Sequence, residues 1–315
     1  MASGSTGVVI KALFANGGIA ISKFVVALIS GSAAMLAEAM HSTADMGNQI
    51  LLLLGLKRSR RAEDLRHEFG YGTERYFWAF IVAVSLFTMG ATFSIYEGIH
   101  KIGERGEAKV GDPLWAYIVL GVSILLELYS MHAAYVEFQH MRKGRGFWRT
   151  LDEARDPVIV VVLFEDGAAL VGLTLALIGV GLASVTQDVL WDGLASIAVG
   201  ITLALVAGYL AKKTKRLLIG EAVTAEDRRK IVDIVESTPG IRKLIHLRTM
   251  HMSADDVIVP MKVAFDDNAT VVDITRAVDE CERRLRAALP YLKRIYIEAG
   301  TVAAPASGTE APAQG

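Results

Sequence analysis

The sequence predicts a mainly α membrane protein in which six transmembrane helices precede a small α+β domain. Three observations carry that prediction. Hydrophobic residues make up 52% of the 315, and long apolar stretches fill the first two thirds while polar residues crowd the last third. Six windows reach the roughly 20 apolar residues that a helix needs to cross a bilayer. From Leu217 onward the pattern becomes helix, strand, strand, helix, strand, the order of a two-layer α+β unit.

The spans are expected from Val8 to Ser30, Ser32 to Leu56, Tyr76 to Ile99, Pro113 to Phe138, Pro157 to Ala183 and Val189 to Ala211. The first is too long for the apolar core of a signal peptide and meets a second span almost at once, so it is read as a retained helix. Lys and Arg set the orientation. Lys57, Arg58, Arg60, Arg61, Arg66 and Arg75 follow span two; Arg142, Lys143, Arg145, Arg149 and Arg155 follow span four; Lys212, Lys213, Lys215 and Arg216 close span six. The alternate connections are poorer, with Lys101, Arg105 and Lys109 after span three. Both termini are therefore expected in the cytoplasm, with residues 1–216 forming the membrane domain.

Residues 217–300 form the predicted soluble domain. Thr224 with Asp227 three residues on marks a helix start, and Pro239–Gly240 ends that helix. Lys243–Met252 and Val257–Phe265 read as strands around a turn at Ser253–Asp256. A helix from Val271 to Ala288 stops at Pro290, and Lys293–Glu298 alternates as a third strand. The Ala, Pro, Ser and Gly tail, 301–315, is expected to be disordered.

Composition narrows the function. The net charge is −1, and no basic stripe with interleaved aromatics occurs, which sets nucleic acid aside as a partner. One cysteine, Cys281, excludes an intramolecular disulfide framework and a CxxC metal motif; on its predicted helix it packs. No nucleophile and base pair, phosphate loop or organic-cofactor motif is present, so an enzyme is not expected. Any metal chemistry falls to His and carboxylates.

Ionisable groups inside a span cost about 2.5 to 3.5 kcal/mol each even on the insertion scale, so they need a cavity or a partner. In span two, Glu38, His41, Asp45 and Asn48 are spaced three, four and three apart, confining them to an arc of about 80°. Imidazole and carboxylate at i and i+4 suit a borderline transition metal such as zinc. Span five supplies Glu165 and Asp166 within VVVLFEDGAALVGL; neighbouring side chains diverge by about 100°, so one of the two is expected to line a shared cavity while the other pairs elsewhere. A second reading keeps the same groups as interhelical hydrogen-bonding glue. Lys11, Lys23 and Glu97 are expected to snorkel from span ends, and Asn16, Glu127, His132 and Asp192 to serve packing or networks; among these Asp192, opening span six, is the best placed to attract cations at the outer mouth.

These residues resemble the cation diffusion facilitators. The likeness runs through SGSAAMLAEAMHSTADMGNQILLLLGL, HEFGYGTERYFW, WDGLASIAVG and LLIGEAVTAEDRRKIVDIVESTPGIRKLIHLR, nearly the whole chain. The pairing of HSTADMGNQ with LFEDGAAL is most similar to the branch with the mitochondrial zinc-transporter homologues. The resemblance implies a homodimeric exporter in the inner (cytoplasmic) membrane that exchanges a divalent metal for protons by alternating access, with a ferredoxin-like, metallochaperone-like cytoplasmic domain. Zinc is the first expectation, with manganese, iron, cobalt and cadmium as alternatives; a membrane-anchored metal sensor is the rival class.

The resemblance also assigns ligands. His41 and Asp45 match the family's span-two pair, and His41 is the natural proton carrier beside Asp45, because a protonated imidazole cannot ligate. Glu165 falls where the first span-five ligand stands, and Ala169 where most members have an aspartate, so Asp166, Asn48 or water is left to fill the fourth position. Auxiliary positions are His67 in the loop after span two, and His246, His251 and Glu298 in the soluble domain, where Pro260 and Gly300 replace frequent ligands. His246 and His251 face opposite sides if they share one regular strand.

Overall fold

The computed structural model describes residues 2–30, 33–103, 114–142 and 144–301, without the side chains at 2, 3, 30, 33–35, 37, 38 and 41. The side chains of Glu38 and His41, the connection 104–113 with Arg105 and Lys109, Lys143, and the tail from 302 onward therefore lie outside the described residues. The chain divides into two compact units, Met1–Ile219 and Gly220 onward.

The first unit is all helix. Its elements are α1 (Ala2–Ser30), α2 (Ala33–Arg58), α3 (Glu74–Ser85), a π-helical turn (Leu86–Ala91), α4 (Thr92–Gly103), α5 (Leu114–Arg142), α6 (Phe147–Glu153), α7 (Pro157–Thr186) and α8 (Leu190–Ile219). Among the described residues, five segments are long and apolar enough to cross a membrane: Gly4–Ile29, Glu74–Gly103, Leu114–Arg142, Pro157–Thr186 and Leu190–Ile219. The sixth expected span is α2. Its 26 residues give about 39 Å of helix, enough to cross, but the polar stripe and the closing Lys57 and Arg58 dilute its apolarity.

Several helices outrun their apolar windows. Span six was expected to end at Ala211, yet α8 continues to Ile219, because a hydropathy window marks the apolar part of a helix and not its hydrogen-bonded length. Lys213 in this extension is buried and donates from Nζ to the carbonyl of Asp152. The short α6 was not expected; it is anchored by fully buried Leu151 and by Phe147 packing edge-on against Phe138 at 5.1 Å.

Two local features position the bundle. Asp156 opens α7 as its N-cap, accepting from the backbone N–H of Val158 at 3.1 Å with Pro157 following it, so the start of α7 is fixed by sequence-local chemistry. The α4–α8 contact depends on glycine. A Cβ on Gly98 would lie 2.6 Å from the carbonyl oxygen of Gly193, and one on Gly200 would lie 2.9 Å from that of Ala91, so these backbones approach too closely for a side chain.

Burial along α7 is lopsided. Val158 through Leu163 are all buried among Val9, Leu52, Leu56, Val82 and Phe138, whereas Val171, Leu177, Ile178 and Val185 toward its far end are exposed. Glu165 and Asp166 stand where the fully packed half stops.

In the second unit, α9 (Ala225–Glu236) starts at Thr224, whose hydroxyl accepts from the N–H of Asp227 at 3.2 Å. Helix α10 (Val271–Ala288) opens with a complete capping box between Thr270 and Asp273. The sheet is built on β3 (Asp256–Phe265). Its partners are β1 (Ile241–Leu247) and β2 (Met250–Ser253), both antiparallel, and β4 (Arg294–Ala299), parallel. Ile258 pairs with both Met250 and Arg294, and Met261 with both Leu247 and Ile297, so β1 and β2 share one edge of β3 and β4 takes the other. The single strand expected over Lys243–Met252 is thus two, with register shifts on either side of the break. Cys281 is fully buried in the core with Leu247, Val257, Val259 and Leu285.

Candidate metal centre

Glu165 on α7 meets α2. Asn48 Nδ2 donates to its Oε1 at 3.0 Å and Gln49 Nε2 donates to its Oε2 at 3.0 Å, and all three side chains are buried. Both oxygens of one carboxylate are therefore held by adjacent residues of the facing helix. Asp45, one turn before Gln49, is half-buried, and its charge acts on the Glu165 carboxylate. His41 lies one turn earlier again on α2, with its side chain outside the described residues.

Asp166 turns to α5 instead. Ser130 Oγ donates to its Oδ2 at 2.6 Å. Glu127, three residues before Ser130 on the same face of α5, is buried and interacts electrostatically with Asp166, Asp45, Glu165 and Lys23. The two neighbouring acids of α7 thus engage different helices, and four carboxylates with one ammonium occupy the middle of an apolar bundle.

The polar atoms are incompletely paired. Asn48 Oδ1, Gln49 Oε1 and Glu127 Oε2 are buried without a hydrogen-bond partner among the described residues. A buried acceptor left unpaired costs about 1 to 3 kcal/mol, and three acceptors together with the carboxylates make an electron-rich interior suited to a cation. Among the described residues, no three His, Cys, Asp or Glu side chains are grouped closely enough to hold a metal ion. What is described is two carboxylates and two amides between α2 and α7, with His41 one turn from Asp45.

The remaining expected positions separate from this centre. Lys23 does not snorkel; it is buried in α1, where its ammonium interacts electrostatically with Glu127. Glu97 likewise has a partner, Lys101 Nζ at 2.9 Å, and the same ammonium lies 2.9 Å from Asp192, so Asp192 at the start of α8 shares the protein's own cation with Glu97. His132 lies on the exposed face of α5 rather than in a network. Asn16 is buried and Lys11 exposed. Ala169, which stands where most members of the family have an aspartate, is half-buried on α7 one turn past Glu165.

His67 sits in the α2–α3 loop. Its Nδ1 is 3.5 Å from Asp64, and its ring packs on Tyr71 at 4.3 Å. The Tyr71 hydroxyl donates to Asp64 at 2.6 Å, and this bond, with the backbone N–H of His67, holds the Asp64 carboxyl down at about 2. In the second unit, His246 is exposed on β1, while His251 on β2 is buried, with Nδ1 3.3 Å from the carbonyl of Ser253 and its ring stacked on Tyr291. Glu298 accepts from Lys262 Nζ at 2.6 Å, which lowers the pKa of its carboxyl from the ordinary value.

Gln49 is the residue that sequence reading missed. It is fully buried and contacts Glu165 as directly as Asn48 does, but it falls about 60° from the centre of the stripe, just outside its arc, and was passed over. A polar amide beside Asn48 in an otherwise apolar run was the available signal.

Comparison with known proteins agrees with this architecture. The family model for the cation efflux transmembrane domain matches residues 9–219, and that for the cation efflux protein cytoplasmic domain matches residues 223–299. The proton-coupled zinc antiporter SLC30A9, mitochondrial, of Xenopus laevis is 35% identical over 261 residues, 82% of this chain and 46% of that protein. Metal tolerance protein C4 of Arabidopsis thaliana is 34% identical over 238 residues, 73% of this chain and 50% of that protein. The chain spans about half the length of these curated relatives. A nickel form of the MamM C-terminal domain aligns with 24% of this chain and 96% of its own at 21% identity, with a TM-score of 0.23. With the transmembrane match alone covering more than half of the chain, this protein belongs to the cation efflux, or cation diffusion facilitator, family.

Proposed function

We propose that this protein exports a divalent metal ion, zinc first, in exchange for protons by alternating access, using a centre shared between α2 and α7. The observation that carries the reading is the meeting of Asn48 and Gln49 with Glu165, one turn from Asp45, at the depth where the fully packed half of α7 stops. A tether for a soluble sensor needs no such group inside an apolar bundle. The zinc antiporter named above, 35% identical, supports the choice of ion and of protons as the counter-substrate.

In this reading His41, Asp45 and Glu165 hold the ion. Asn48 Oδ1, without a hydrogen-bond partner among the described residues, stands ready for the position that Ala169 leaves without a ligand. Asp166, tied to Ser130, contributes charge from behind. His41, with Asp45, couples metal to protons: neutral imidazole ligates, and protonation from the far side expels the ion. The protein works as a homodimer in the cytoplasmic membrane, with both termini and the second unit in the cytoplasm. The oxygen-rich character of the described ligands favours a second reading in which a harder ion such as manganese competes with zinc.

The test is transport by purified protein in proteoliposomes loaded with a zinc-responsive dye, with and without a pH gradient, repeated with manganese, iron, cobalt and cadmium. Zinc flux that rises with the gradient supports the reading. Metal-dependent change in the second unit with no flux of any ion favours a sensor.

A further inference from the structure

We propose that Gln49 is a positioning residue for transport, acting with Asn48 to fix the plane of the Glu165 carboxylate so that its remaining lone pairs face the ion. This rests on the reading of Glu165 as a metal ligand.

The geometry has three parts. First, the two amides engage different oxygens of one carboxylate, each at 3.0 Å, so they restrain rotation about the last side-chain bond and not only its position. A carboxylate offers about four lone-pair sites; the two amides occupy one on each oxygen and leave one on each for a cation. Second, the donors come from consecutive residues of one helix. Asn48 and Gln49 diverge by about 100° around α2, yet the longer Gln side chain brings its amide back to the same acceptor. Third, Gln49 is fully buried and its Oε1 has no partner among the described residues. The hydrogen bond described for this buried amide is the one its Nε2 donates to Glu165.

The ligating groups themselves are not altered by losing Gln49, so the effect falls on affinity more than turnover. Partners that orient a metal ligand typically change metal affinity by about 10- to 100-fold when removed. Gln49→Met keeps the length and burial of the side chain and removes the amide. It is expected to raise the apparent KM for zinc about 10-fold or more in proteoliposomes and to leave kcat within about twofold, since the ion once bound meets the same ligands.

A packing role is separated by a double-mutant cycle read in zinc affinity, by calorimetry on the detergent-purified full chain. If Gln49 acts through Glu165, Gln49→Met has little further effect in a Glu165→Gln background. Full additivity, or an unchanged KM in the single variant, overturns the proposal. Should Gln49→Met not fold, Gln49→Asn, which withdraws the same amide from the carboxylate, carries the same predicted rise in KM and the same cycle. Asp45→Ala run alongside separates the two levels of inference. Wild-type transport by Asp45→Ala sinks the metal centre itself, whereas loss of transport there with a normal KM in Gln49→Met sinks only the role of Gln49.

Discussion

Arg75 Nη1 lies 3.6 Å from Oδ2 of Asp156, with both side chains more than nine-tenths buried, and Ser5 Oγ donates to the same carboxylate oxygen at 2.6 Å. This junction ties the starts of α3 and α7 to the start of α1, about 13.5 Å along α7 from Glu165 at 1.5 Å per residue. Removing one member of a buried pair typically costs about 3 to 5 kcal/mol because the other charge is left without compensation. Asp156→Ala is therefore expected to lower the apparent melting temperature in detergent markedly. The double variant Arg75→Leu with Asp156→Leu is expected to recover much of that loss, measured by thermal scanning at one detergent concentration.

Glu165 and Asp166 are adjacent but face different helices, so their alanine variants should differ. Glu165→Ala is expected to abolish zinc transport. Asp166→Ala, which loses the bond from Ser130, is expected to retain a reduced but gradient-dependent flux. Equal loss in both variants would show that the α5-facing acid also ligates.

The α2–α3 loop offers a pH test outside the membrane. The Asp64 carboxyl is held at about 2, first by the Tyr71 hydroxyl and then by the N–H of His67. Its folded value is depressed, so the loop contact is present above the ordinary carboxylate range and is lost as pH falls through about 2. Tyr71→Phe is expected to move Asp64 back toward the ordinary value, read from the carboxylate carbon shift in an NMR titration. An unmoved titration would show that the hydroxyl is not the controlling bond.

Cys281 is fully buried on α10, and burial raises its thiol above the ordinary value, so thiolate is scarce and shielded. The native protein is expected to react negligibly with a disulfide-exchange reagent over minutes and to release one equivalent of thiol per chain when denatured. Prompt native reaction would place α10 differently.

Much of this architecture is legible from periodicity and local signals. Thr224 marks a helix start through a bond to its own neighbour, and the structure shows its hydroxyl capping α9; Asp156 with Pro157 and Thr270 open α7 and α10 by the same local chemistry. The missed features depend on distant partners. The π-helical turn at Leu86–Ala91, with Thr92 Oγ1 reaching the carbonyl of Phe87, leaves hydropathy unchanged. Lys23 reads as a span-end lysine until folding buries it and brings it within electrostatic reach of Glu127 on α5. Gln49 lies outside the arc through His41, Asp45 and Asn48, and only the approach of Glu165 gives its amide a purpose. The break between β1 and β2, and the register shifts within each strand's pairing with β3, are not recorded in a strand's own alternation.

The most direct test of the metal centre between α2 and α7 is the initial rate of zinc uptake into proteoliposomes under a pH gradient, compared between wild type and Asp45→Ala at matched protein content and oligomeric state. Gradient-dependent uptake is expected in the wild type, and none above protein-free liposomes in Asp45→Ala. Wild-type uptake by Asp45→Ala would contradict this expectation.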